Sequence, residues 1–186
     1  MPSFLKPSWR APWRMWLQPA HTRERHAEIP TAHGPCTLFR EPGPRLTADA
    51  KAEGWERWQF LLGEATVLEI DDAALPGLGI RKRLRHGVHG RLDGVPFTAR
   101  AAGRSLRPTR RGIHFRLDDG RTLSFTARPF HLRLVREAVG EHEVRARTRT
   151  GGWETHRLDR GELALLCFLT VSGADQLLRS PLQEVF

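Results

Sequence analysis

Asp159-Arg-Gly-Glu-Leu-Ala-Leu-Leu-Cys-Phe-Leu-Thr-Val-Ser-Gly173 is the stretch whose reading decides the fold. Asp159 or Gly161 can serve as an N-cap, Glu162 falls in the first turn where the helix dipole favours an acid, and Gly173 can stop the helix. The run Leu163–Val171 is nearly continuous apolar sequence. As a strand it is poorly composed, because Leu, Ala, Cys and Phe do not prefer strand over helix. As a helix over about residues 161–172 it is too short to cross a bilayer and has no polar face, so it must be buried on every side. A sheet that surrounds it is the expected partner.

The sequence upstream supplies that sheet. From 78 to 158, short alternating runs are separated by turn residues at the roughly 8–12-residue spacing of a β-sandwich or barrel. Asp93-Gly94 is a hairpin dipeptide, with Leu92 before it and Val95 to Ala101 after. Ile113–Leu117 and Thr122–Thr126 flank Asp118-Asp119-Gly120, the clearest hairpin in the chain. Phe130–Val135 alternates, and His142–Thr150 places Val144, Ala146 and Thr148 on one face and Arg145, Arg147 and Arg149 on the other. Closer to the N-terminus, Cys36–Phe39 and Ala65–Ile70 have strand composition, Leu46–Glu53 has helix formers, and Trp55–Leu62 fits either. The expected fold is mainly β: an antiparallel up-and-down barrel over 35–173 around a buried C-terminal helix, preceded by an arm (1–34) and followed by a tail (174–186).

The order of these elements resembles the tubby-like barrel superfamily, which includes tubby C-terminal domains, phospholipid scramblases and LURP-one-related proteins. The likeness rests on Ile113–Leu117 and Thr122–Thr126 about Asp118-Asp119-Gly120, on Phe130–Val135 and on Glu162–Val171, and it spans about residues 35–173. It implies a closed antiparallel barrel threaded by a hydrophobic helix. It supplies no catalytic residue. The better-known animal members of the superfamily bind phosphoinositides through basic side chains, which by analogy of fold makes an anionic phospholipid a candidate ligand.

Charge points the same way. The chain has 186 residues and a net charge of +9, and among its 30 basic residues only Lys6, Lys51 and Lys82 are lysines. Arginine binds phosphates and carboxylates through two parallel bonds and stacks on aromatic planes. A GC-rich coding sequence also enriches Arg without any ligand. The candidate anion-binding residues are Arg81, Lys82, Arg83, Arg85, Arg104, Arg107, Arg110 and Arg111, in a stretch whose only acid is Asp93. Phe97 is the lone aromatic there, which argues against base stacking as the main mode. The candidate partner-docking residues are Trp9, Arg10, Trp13, Arg14 and Trp16 of the Pro-rich arm, suited to a membrane interface or a docking groove.

Catalytic and cofactor chemistry find little support. No Walker loop, dinucleotide fingerprint, HExxH or GxSxG occurs. His86 and His89, or His21 and His26, lack the further ligands a metal needs. Cys36 and Cys167 read as two reduced thiols of a cytoplasmic protein without a secretory signal. The expectation is a non-enzymatic binding or assembly module without cofactor or metal. It docks to a protein partner or to an anionic membrane surface, peripherally. The alternatives are a nucleic-acid-binding protein using 81–111, and a hydrolase with scattered site residues.

Overall fold

The computed structural model describes residues 20–43, 55–75, 78–102, 107–138, 141–149 and 152–178, together with the backbone of 3–5. The strands are β1 (Ser3–Leu5), β2 (Glu24–Ile29), β3 (Cys36–Pro42), β4 (Glu56–Leu62), β5 (Ala65–Ala73), β6 (Val88–Leu92), β7 (Val95–Ala101), β8 (Gly112–Leu117), β9 (Thr122–Arg128), β10 (His131–Ala138), β11 (Glu141–Arg149) and β12 (Gly152–Thr155). Helix α1 (Leu78–His86) joins β5 to β6, and α2 (Arg160–Ser172) follows β12. β2 to β12 pair antiparallel in chain order as one up-and-down sheet, and the short β1 adds to the β12 edge. Among the described residues no ladder joins β1 to β2, the two edges of that order.

Local chemistry sets the turns. Asp93 and Gly94 both take positive φ (48° and 79°), which the right-handed twist of β6 and β7 requires of a two-residue hairpin loop. At the next hairpin Leu117 N–H donates to Arg121 O at 2.9 Å and Gly120 N–H to Leu117 O at 3.1 Å. Helix α2 begins with a capping box: Glu162 N–H donates to Asp159 Oδ1 (2.8 Å), and Asp159 N–H donates to Glu162 Oε2 (3.0 Å). It ends at Gly173, with φ 71°.

Every residue from Gly161 to Leu169 is buried, as are Val171 and Ser172. The ring of Phe168 meets Trp58 and Phe60 of β4 at 6.2 and 6.1 Å, and Phe115 of β8 at 6.1 Å. Strands four places apart in the order therefore reach one helical side chain, so the sheet curves around α2. Hydrophobic burial drives this, at about 1.5–3 kcal/mol for each large side chain. No helix among the described residues is long and apolar enough to cross a membrane.

Four expectations change in this fold. The segment 1–34 contributes β1 and β2 to the sheet, so it is not wholly an arm. Its alternation is broken because β2 bulges: Arg25 faces Phe39 and Ala27 faces Leu38, leaving His26 unmatched and buried beside Ala27. Residues 78–86 are helical rather than extended, since Ile80 and Leu84, four residues apart, both turn inward within a basic run that hides their spacing. Arg145 is buried, not outward. Leu134 faces Ala146 and Val135 faces Val144, so Arg145 is the extra residue of a bulge that swings it onto the inner face. The stretch after Gly173 is not a free tail at its start, because Ala174 and Leu178 join the core. Trp55–Leu62, which fitted either state, resolves as β4. The expected helix over Leu46–Glu53 lies outside the described residues.

The bulges serve two buried ionic clusters. Arg40 (β3) forks onto Glu56 (β4) through Nε (2.7 Å) and Nη2 (2.6 Å), and Trp58 Nε1 donates to Glu56 Oε2 at 2.8 Å. Arg40 Nη1 donates to His26 Nδ1 at 3.2 Å. Burial foremost, then Arg40, lowers the His26 pKa to about 4, against the pull of Glu56. In the second cluster, Arg145 Nε donates to both carboxylate oxygens of Glu162 (3.0 and 3.1 Å) and its Nη1 to Glu143 Oε1 (2.6 Å). Burial raises the Glu162 pKa, and the Asp159 N–H and Arg145 draw it back.

Candidate anion-binding end

Because the strands run up and down, their connections alternate between two ends of the sheet. One end holds the turns Gly63-Glu64, Asp93-Gly94 and Asp118-Asp119-Gly120 and the start of α2. Three of its acids are paired: Asp93 with Arg160 at 3.2 Å, Asp119 with Arg121 at 2.7 Å, and Asp159 with Arg136 at 3.6 Å. The other end holds α1, the β7–β8 connection and the Pro129-Phe130 turn between β9 and β10. Those connections carry Arg81, Lys82, Arg83, Arg85 and His86, then Arg107 and Arg110, and are flanked by Arg128 and His131. The described protein is thus polarised along the helix axis, with a basic end opposite an acid-bearing one.

One cluster of the basic end is the outer face of β9, β10 and β11. Arg133 and Arg147 stand directly opposite one another across the β10–β11 ladder, and His131 stands opposite Arg128. Like charges in facing positions repel. The chain answers with one carboxylate, Glu154, whose Oε2 accepts from Arg147 Nε and Arg149 Nε, both at 2.7 Å. Those two bonds hold the Glu154 pKa down at about 2. Arg133 Nε donates to His131 Nε2 at 2.7 Å, so that ring nitrogen carries no proton. Desolvation first, and then the charges of Arg133, Arg147, Arg128 and Arg149, lower the His131 pKa. A shallow depression lined by Phe130, His131, Arg147, Thr148 and Arg149 lies over this cluster. Its chemistry suits an anion with oxygen acceptors, because two guanidinium groups, those of Arg147 and Arg149, line it.

The residues expected from sequence divide into three groups. Arg81, Lys82, Arg85, Arg107 and Arg110 lie at the basic end, where Arg100 Nε donates to Arg85 O (3.2 Å) and ties β7 to α1. Arg83 and Arg111 are engaged within the fold. Arg83 pairs with Asp72 at 2.5 Å and stacks 4.2 Å from the Trp55 ring centroid, and Arg111 is 6% exposed with Nη1 donating to Leu178 O at 3.4 Å. A planar guanidinium serves such inner contacts as readily as it serves a ligand. Arg104, and Trp9, Arg10, Trp13, Arg14 and Trp16, lie outside the described residues.

Sequence reasoning passed over Arg128, Phe130, His131, Arg133 and Arg149 as a cluster. The available signal was the two-residue Pro129-Phe130 interval between an arginine-ended run and His131–Val135, with a second arginine-rich strand following. Among the described residues no group of three or more His, Cys, Asp and Glu side chains is placed to hold a metal ion. Neither a protein-family model, nor a curated protein, nor a solved structure matches this chain.

Proposed function

We propose that this chain is a non-enzymatic binding module, a tubby-like barrel whose basic end docks onto an anionic phospholipid surface. The observation that carries the reading is the gathering of α1, the β7–β8 connection and the Arg128–Arg149 cluster at one end of the sheet, away from the matched acids. A closed barrel accords with a helix buried on all sides and with strands as distant as β4 and β8 meeting at Phe168. The long-range field of such an end steers it toward negative surfaces.

The test is flotation of the full chain with phosphatidylcholine vesicles, with and without phosphatidylglycerol, at low and physiological salt. Retention of single-stranded oligonucleotides is measured alongside. Binding to the anionic vesicles that weakens as salt rises is the expected result. Tight oligonucleotide retention without vesicle binding would replace this reading with nucleic-acid binding.

A further inference from the structure

We infer that the Pro129-Phe130 turn is the point at which this protein enters an anionic bilayer, with Phe130 seated in the interface and Arg128, Arg133, Arg147 and Arg149 on the surrounding lipid phosphates. This rests on the reading that the basic end meets an anionic phospholipid surface.

Phe130 is 98% exposed, and the other large hydrophobic residue exposed among those described is Leu78, at 77%. Both lie at the basic end: Leu78 is the first residue of α1, and Phe130 tips the β9–β10 hairpin. Scattered exposed apolar side chains need no explanation. Two that coincide with the excess of positive charge fit a surface that is apolar beneath an anionic layer, which takes up phenyl ring and guanidinium groups together.

The levels along the strands match such a surface. Arg128 ends β9, His131 begins β10 and Arg149 ends β11, so they sit immediately behind the turn. Arg133 and Arg147 lie two residues further back, about 7 Å at the rise of an extended strand. Interfacial side chains sink about 5–10 Å into the boundary between headgroups and acyl chains. A phenyl ring at that depth brings the first level of guanidinium groups to the phosphates and the second to the outer headgroup zone. The phosphates also relieve the repulsion between Arg133 and Arg147, for which Glu154 supplies one charge.

The native thiols Cys36 and Cys167 are buried, so a Phe130→Cys protein can be labelled at that position with an environment-sensitive fluorophore. With phosphatidylcholine–phosphatidylglycerol vesicles its emission is expected to shift to the blue and to be quenched by shallow lipid-borne quenchers. With pure phosphatidylcholine, and for a label at Asp119→Cys on the opposite end, no shift is expected. In flotation, Phe130→Ser lowers the vesicle partition coefficient at least about tenfold, and Arg147→Gln lowers it about fivefold. If the unaltered chain floats and Phe130→Ser floats equally well, with the label remaining in water, this inference is overturned while the docking reading stands. If the unaltered chain does not float with anionic vesicles, the docking reading itself fails. A blue shift produced by poly-glutamate or an oligonucleotide in the absence of vesicles overturns the inference in favour of a protein or nucleic-acid partner.

Discussion

Acidification from pH 7 to pH 4 is expected to remove about 3 kcal/mol of folding stability through His26 alone. His26 is 7% exposed, and its pKa falls from 6.5 to about 4 on folding, because burial and the neighbouring Arg40 both oppose its charged form. Above pH 6.5 the imidazole is neutral in both states and contributes no penalty. Between 6.5 and 4 the unfolded chain takes up a proton that the folded chain refuses, so stability declines as pH falls through this window. Other groups titrate over the same range, and a variant isolates the effect. His26→Gln keeps an acceptor for Arg40 Nη1 and cannot titrate. Urea unfolding of both proteins at pH 7 and pH 4 gives a double difference, in which His26→Gln loses about 3 kcal/mol less than the unaltered chain. For a domain of this size that is roughly 6–12 °C in melting temperature. Parallel losses in the two proteins would refute the claim that the bulge at His26 holds a neutral imidazole against Arg40.

Other perturbations test the fold and its polar clusters. Leu166→Asp places an unpartnered carboxylate inside the sheet and should cost ~3 kcal/mol or more, read by denaturant unfolding. Arg145→Met takes from buried Glu162 its nearest cation, leaving it Arg136 at 3.4 Å and the Asp159 N–H, and should cost ~1.5–3 kcal/mol, whereas Arg147→Ser, which leaves Arg149 on Glu154, should cost under ~1 kcal/mol; equal costs would sink the bulged register. Gly90→Ala sets a Cβ 1.9 Å from the Glu69 carbonyl oxygen across the β5–β6 ladder, so its melting temperature should fall sharply. A maleimide should leave Cys36 and Cys167 unmodified in the native protein and label both in urea. The hydrogen bond with the Cys36 thiol, and then burial, raise the Cys167 thiol well above its ordinary pKa, and native labelling would contradict the packing of α2 on β3.

The sequence by itself determined what depends on near neighbours along the chain. The Asp159 cap, the Glu162 first turn and the Gly173 stop are legible because capping is a contact over three or four residues. The Asp93-Gly94 and Asp118-Asp119-Gly120 hairpins are legible because positive φ selects few residue types. That α2 needs a sheet around it follows from its having no polar face. Tertiary structure alone decided where alternation fails. A bulge turns His26 or Arg145 inward only because Arg40 or Glu162, supplied by another strand or by the helix, waits there to satisfy it. It also decided which arginines form a surface. Arg128 is bound in sequence to β9 and Arg149 to β11, and they share a face only through the register of β10 between them. Arg83 and Arg111 carry the same charge in the same sequence neighbourhood, yet the folded chain spends them on Trp55, Asp72 and the Leu178 carbonyl. Composition counts guanidinium groups, but long-range pairing determines which of them face solvent.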